Sequence, residues 1–185
     1  RCWAQAGQNF SYETLAAMAS DAPPFTAIID PDDATFLAPK NMPDAIAAYC
    51  RAHGQSIPDS PGVMARVILE SLALRYRWTL EKLSKLQQRT FDQLYVVGGG
   101  SQNQLLCQLT ADACGVPVVA GPVEATAIGN AALQAVALGD LPSLAAARTL
   151  IRTAFAVTVY EPTLTIGSRV AWDDAYERFQ NSFLE

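Results

Sequence analysis

The chain has 185 residues, half of them hydrophobic, and carries a net charge of −5. That length suffices for one sizeable core with a small appendage. The charge and the lack of any basic stripe exclude nucleic acid as a main partner. No apolar run approaches the ~18 residues of a membrane span, and the N-terminus has no basic-then-apolar leader pattern, so a cytoplasmic protein with no membrane partner is expected.

Cysteine usage agrees. Cys2, Cys50, Cys107 and Cys114 are scattered, with no CxxC pair. They read as reduced, small buried apolar residues, so no metal site is expected. The opening Arg1-Cys2-Trp3 lacks a methionine, which suggests a piece of a longer protein.

The first 60 residues are punctuated by turn signals: Pro23-Pro24, Asp30-Pro31-Asp32-Asp33, Pro39, Pro43 and Pro58. Two short helices fit between them. One is capped by Ser11 and runs to about Ser20. The other is capped by Asn41, carries Pro43 and Asp44 in its first turn and stops at Gly54. The acidic cluster at Asp30, Asp32 and Asp33 reads as a turn. A calcium loop starting at Asp30 would need glycine and glutamate where Thr35 and Asn41 stand. His53, beside Gly54, reads as a helix-terminal residue, either in a favourable dipole contact or simply exposed, rather than a catalytic one.

From Ser60-Pro61 a long helix is expected to about Gln87. Met64, Ile68, Leu72, Tyr76, Leu80 and Leu83 recur at helical spacing. Val67, Leu69 and Leu74 widen that stripe, which suggests more than one packing neighbour. Arg66, Glu70, Arg75 and Arg77 are assigned to the polar face.

A strand follows at Leu94–Val97, ended by Gly98-Gly99-Gly100. Ser101 to Gln104 has capping-box spacing, so a helix should begin there. Its stripe is Leu105, Leu106, Leu109 and Ala113, and Gly115 and Pro117 stop it. "VPVVAG" is a second strand. Glu124 to Leu138 forms the next element, closed by Gly139. Ser143 caps a helix to about Arg152, "FAVTVYEP" is a last strand, and Asp173 to Phe183 a final helix. Alternating helices and strands predict an α/β layer with parallel pairing.

A strand, three glycines and a helix start together suit an anion or nucleotide, because terminal backbone N–H groups lack intrahelical partners. Four readings compete for "YVVGGGSQNQLL". A Walker A loop fails, because no lysine follows Lys85. A dinucleotide fingerprint is weak: Asn103 stands at the third glycine, and Gly121-Pro122-Val123 displace Glu124 from the end of the second strand. A plain tight turn, and a nucleotide contact without a phosphate-loop lysine, both remain open on pattern alone.

The stretch "YVVGGGSQNQLLCQLTADACGVPVVAGPVEATAIGNAALQAVALGDL" resembles the nucleotide-binding part of the FGGY carbohydrate kinases. The likeness extends upstream through "PPFTAIIDPDDATFLAPKNMPDAIAAYC", "GQSIP" and "ILESLALRYR", and weakens after about Glu161. The "IDPDD…FLAP…MP" stretch narrows it to the branch that phosphorylates L-rhamnulose at its 1-hydroxyl.

The resemblance implies a ribonuclease-H-like, actin-type ATPase domain, the C-terminal half of a two-domain sugar kinase. It divides the chain into a turn-rich helical segment (1–60), an α/β nucleotide-binding core (61–160) and a tail helix (161–185). It implies a phosphotransferase with an alcohol acceptor, using ATP and Mg2+. Gly99 becomes the main nucleotide contact, flanked by Gly98 and Gly100, with Asn103 next. Glu124, Ala125, Thr126 and Gly129 match the family's following helix, where Ala125, Gly129 and Ala132 would allow close helix packing. The family's N-terminal phosphate turn and its catalytic aspartate lie before the region covered, so no catalytic or metal-binding residue is assigned. Asp112 reads as a surface helix residue, not a substitute base. Sugar would bind through an N-terminal domain, and an exposed interdomain surface could support a dimer. The competing class is a non-catalytic module that folds, or binds nucleotide or a partner.

Overall fold

The computed structural model describes residues 10–163 and 165–183. The elements run α1 (Tyr12–Asp21), a 3₁₀ turn (Ala34–Phe36), α2 (Met42–Ala52), α3 (Pro61–Gln87), β1 (Leu94–Val96), a second 3₁₀ turn (Gly98–Gln102), α4 (Gln104–Cys114), β2 (Val118–Ala120), α5 (Ala125–Leu138), α6 (Leu144–Ala154), β3 (Thr158–Tyr160) and α7 (Ile166–Phe183).

Three serines start helices as the sequence predicts. Ser11, Ser60 and Ser143 each accept a backbone N–H from the first turn: Thr14, Val63 and Ala146. Their oxygens satisfy donors the helix cannot. Asn41 precedes α2 but does not cap it through its side chain; its amide donates instead to Asp44 at 2.6 Å. The acidic cluster is a turn. Asp30 accepts from the Asp32 N–H, Asp33 caps the short 3₁₀ turn, and Asp32 pairs with Arg75 at 2.6 Å. His53 closes α2 with Nδ1 2.8 Å from the Tyr49 carbonyl oxygen and its ring stacked on Tyr49.

Helix α3 is the spine. Its Leu69, Ala73 and Leu74 join Leu106, Leu109 and Ala113 of α4 and Trp172, Ala175, Tyr176 and Phe179 of α7 in one cluster. Its Val63, Met64 and Val67 join Ile46, Tyr49 and Cys50 of α2 in another, to which the buried stretch Ala27–Ile29 adds Ala27 and Ile29 while its Ile28 enters the first. That stretch has no ladder, so side chains satisfy its backbone. Gln55 accepts from the Ile28 N–H at 2.8 Å and donates to the Ile28 carbonyl at 2.7 Å, while Ser71 accepts from the Ile29 N–H at 3.0 Å. A buried peptide left unpaired would cost about 1–3 kcal/mol.

Four expectations need correction. Glu70 is not on a solvated face: it is fully buried and ion-paired with Arg66 at 2.6 Å. The sheet is not all parallel. Its order is β1-β2-β3, with β1 parallel to β2 and β3 antiparallel to β2; two helices, α5 and α6, rather than one connect β2 to β3. The final helix starts at Ile166 rather than Asp173, and its start is stabilised by Thr165 accepting from the Ser168 N–H at 3.3 Å. The small residues of α5 make no close approach: nothing lies within 4 Å of where a Gly129 Cβ would sit, and α5 buries no residue.

Asp112 is half-buried rather than on the open surface, and it has a structural task. It accepts the Thr163 N–H at 2.8 Å and the Gln108 amide at 3.0 Å, tying the segment after β3 to α4. Cys50 and Cys107 are buried and Cys114 half-buried, all free; Cys2 lies outside the described residues. Burial pushes the Cys114 thiol up to about 12, which makes it a poor nucleophile.

Candidate nucleotide site

Register explains why a glycine must follow β1. Leu94 and Val96 face α4 and meet Cys107, Ala111, Val118 and Ala120. Gly121 donates its N–H to the Val96 carbonyl at 2.8 Å, and Gly98 donates to the Pro122 carbonyl at 3.3 Å. The crossing from β1 into the turn is thereby stitched to the crossing after β2. At Gly98 the chain reverses with φ +76°, a region that favours glycine.

The capping box expected at Ser101 does not form. The chain first makes a 3₁₀ turn, in which the Ser101 hydroxyl donates back to the Gly98 carbonyl at 2.8 Å. The N-cap is Asn103, whose Oδ1 accepts the Leu106 N–H at 3.0 Å. Asn103 therefore sits at the junction of the turn and α4 rather than inside the helix. Behind the turn, Cys107 is fully buried, and its thiol lies 3.9 Å from the Gly100 carbonyl oxygen. Burial raises its pKa, so a neutral thiol supports the loop.

The glycines differ in what they permit. Gly100 rests on Val96, whose Cγ1 would be 3.6 Å from an added Cβ. Gly99 is exposed, and nothing lies within 4 Å of where its Cβ would sit. Its backbone faces a groove of about 700 Å³. Gly100 and Asn103 line the same groove, so the structure brings together three of the four residues singled out from sequence. Gly98 stands behind them as the hinge of the turn and is not part of the lining.

The rest of the groove was not named from sequence. Leu69 and Leu72 of α3 line it, together with the first turn of α4 and with Tyr12, Glu13 and Ala16 of α1. The leucines had a signal, the unusual width of the α3 stripe. Tyr12 had none, because an exposed aromatic at a helix start carries no pattern. Apolar walls with a few backbone and amide groups suit a flat heterocycle with polar edges. Among the described residues Glu13 is the only carboxylate in the lining, and one carboxylate is no ligand set for Mg2+. Among the described residues no group of three or more His, Cys, Asp or Glu side chains could hold a metal ion, and no helix is long and apolar enough to cross a membrane.

A mixed, mostly helical α/β layer with a glycine turn at the end of a parallel strand is consistent with the C-terminal domain of the actin-like ATPase fold. Residues 1–138 match the model of the FGGY family of carbohydrate kinases, C-terminal domain, and the chain belongs to that family. It is 47% identical over 171 residues to a rhamnulokinase from Bacteroides thetaiotaomicron, covering 92% of this chain and 34% of that protein. It is 49% identical over 155 residues to a rhamnulokinase from Enterococcus faecalis, covering 83% of this chain and 31% of that one. Among solved structures, xylulose kinase from Rhodospirillum rubrum superposes with a TM-score of 0.66 at 19% identity, covering 94% of this chain and 33% of that one. Glycerol kinase from Plasmodium falciparum, solved with ADP, gives 0.66 at 14% identity, covering 95% and 34%. These structural likenesses concern the fold alone. The chain spans about a third of the length of the curated relatives it matches.

Proposed function

We propose that this chain is the nucleotide-binding part of a sugar kinase of the rhamnulokinase type, and that adenine nucleotide lies in the groove faced by Gly99, Gly100 and Asn103. Gly98 holds the turn that presents them. The observation that carries the reading is the open, side-chain-free backbone at Gly99 beside an apolar groove, in a chain of this family. The apolar floor at Leu69 and Leu72 takes the base, and the turn meets the nucleoside through its backbone. Mg2+ arrives on the phosphates of ATP.

Phosphoryl transfer is almost wholly positioning and charge stabilisation. On this reading the base for the sugar hydroxyl belongs to a preceding domain, so these 185 residues bind nucleotide without turning over. In the full kinase the sugar, L-rhamnulose, docks on a preceding domain. The apolar surface at Tyr95, Val97 and Val159, each about half exposed, is the face on which the rest of the kinase, or a second copy in isolation, packs. The enzyme is cytoplasmic.

The test is Gly99→Val. Nothing in the chain obstructs that side chain, and the backbone there is not left-handed. Thermal unfolding should be unchanged, while ADP affinity falls more than tenfold. ADP at ~100 times the parent's Kd should stabilise the parent by about 2.7 kcal/mol and the variant by less than about 1.4 kcal/mol. Equal stabilisation of the two proteins would reduce the loop to a turn.

A further inference from the structure

We infer that Arg66 and Glu70 of α3 are positioning residues for the nucleotide groove, acting through α1, the helical wall that carries Tyr12. The inference rests on the groove reading above.

Helix α1 packs on α3, and no other element among the described residues makes a comparable contact with it. Its attachment is concentrated at its C-terminal end. Ala19 is the one buried residue of α1. Met18 is pressed onto Gly62, where a Cβ would lie 2.7 Å from the Met18 carbonyl oxygen. Arg66 Nη1 donates to the carbonyl oxygens of Ala19 and Ser20, at 3.2 and 3.3 Å. Those carbonyls lie in the last turn of α1, where a cation is favourable; Ala19 also accepts the Ala22 N–H at 3.3 Å.

Glu70 fixes the guanidinium that does this. Its Oε1 accepts from Arg66 Nε at 2.6 Å, and its Oε2 accepts the Phe25 N–H at 2.7 Å. Phe25 is the residue that turns the chain after α1, with φ +52°, a conformation rare for a bulky side chain. One buried carboxylate thus ties together the cap on α1 and the strained turn that leaves it. A charge is otherwise costly at full burial, and here both oxygens are engaged.

The groove-lining residues of α1 are Tyr12, Glu13 and Ala16, all on the N-terminal side of this anchor. The helix is a lever. Tyr12 stands seven residues from Ala19, or about 10 Å along the axis at ~1.5 Å per residue. A tilt of about 5° at the anchor moves Tyr12 by about 1 Å, enough to spoil contact with a bound base. Loss of the clamp therefore alters the groove before it unfolds the domain.

The experiment compares ADP affinity of the 185-residue chain, by calorimetric titration, with that of three variants, each well below its unfolding temperature. In the double variant Arg66→Met/Glu70→Gln the shapes are largely kept and the Gln carbonyl still serves Phe25, while the ion pair and the donors to Ala19 and Ser20 are lost. Its Kd for ADP should rise about tenfold. Arg66→Lys keeps the charge against Glu70 but not the forked reach, and should rise about threefold. Ile46→Val lowers stability in the other core cluster, away from α1, and should leave Kd unchanged. Hydrogen exchange of the α1 amides should quicken in the first two variants only.

A double variant that binds ADP within twofold of the parent overturns the positioning role. Should that variant fail to fold, an unchanged Kd for Arg66→Lys does the same. A parent that binds no ADP at millimolar concentration removes the groove reading, and this inference with it.

Discussion

Between Tyr12 and Gln87 each helix buries side chains against α3, whereas α5, between Ala125 and Leu138, buries none. The two regions are not different in apolar content: α5 is rich in Ala, Leu, Ile and Val. They differ in how much their neighbours cover: α5 touches α6, yet none of its residues is buried. Helix α3 shares one core cluster with α1, α4 and α7 and another with α2. The strands are three residues long, and Tyr95, Val97 and Val159 of the sheet region remain about half exposed. A helix apolar on most sides is one written for burial. The lesson is that hydrophobic pattern states what an element can bury, while stability depends on what it does bury. The glycine turn lies at the seam, anchored by the well-packed half and opening onto a groove.

The sharpest way to break that contrast is a pair of truncations. Phe179 is fully buried between α7, α3 and α4, so Phe179→Ala should cost about 3–5 kcal/mol in urea unfolding. Leu133 of α5 is 53% exposed, and Leu133→Ala should change stability by less than about 0.5 kcal/mol. Comparable losses at the two sites would mean that α5 is packed in solution.

A smaller effect tests the seam itself. Asn103→Ala removes the α4 cap and should cost about 1 kcal/mol, while Asn103→Asp, which can still accept the Leu106 N–H, should restore most of it. If Asn103 also touches nucleotide, ADP affinity should fall in both variants, because neither retains the amide donors. A stability loss without any affinity change would leave Asn103 a cap only.

That residue also marks what could be read from the sequence. Ser11, Ser60 and Ser143 caps, the left-handed closures at Gly115 and Gly139, and the strand–glycine–helix order were all legible, because each depends on local chemistry. Ser101 was misread for a physical reason. Its spacing to Gln104 fits a capping box, but the preceding glycines allow a tighter turn that recruits its hydroxyl to Gly98. Glu70 was misread because helical periodicity identifies one buried face, and α3 has neighbours on more than one. The antiparallel β3 had no sequence signal, since a short β-branched run reads the same in either direction. The wall of the groove at Tyr12 could not be read, because it depends on tertiary placement of α1.

The buried Glu70 supplies the subtlest way to separate the two regions, through pH. Burial raises its pKa, and the Arg66 guanidinium and the Phe25 N–H only partly offset this. A carboxyl with a folded-state pKa above its unfolded value binds its proton more tightly when folded. Its contribution is fully present below ~4.3 and is lost as pH rises through the higher folded value. Asp33 and Asp173 behave oppositely. Hydrogen bonds from Thr35 hold Asp33 below its ordinary value. For Asp173, burial acts upward but is outweighed by Arg77 and Arg169. Their contribution is present above ~3.9 and is lost as pH falls. The thermal midpoint should therefore rise with pH below about 4 and decline modestly above it. Glu70→Gln should abolish only the decline and leave the acid limb intact. Because Glu70 lies in the helical half, that decline should appear in the exchange of α1 and α3 amides and be absent from α5. A decline that persists in Glu70→Gln would assign the slope to another group and detach it from the α1 clamp.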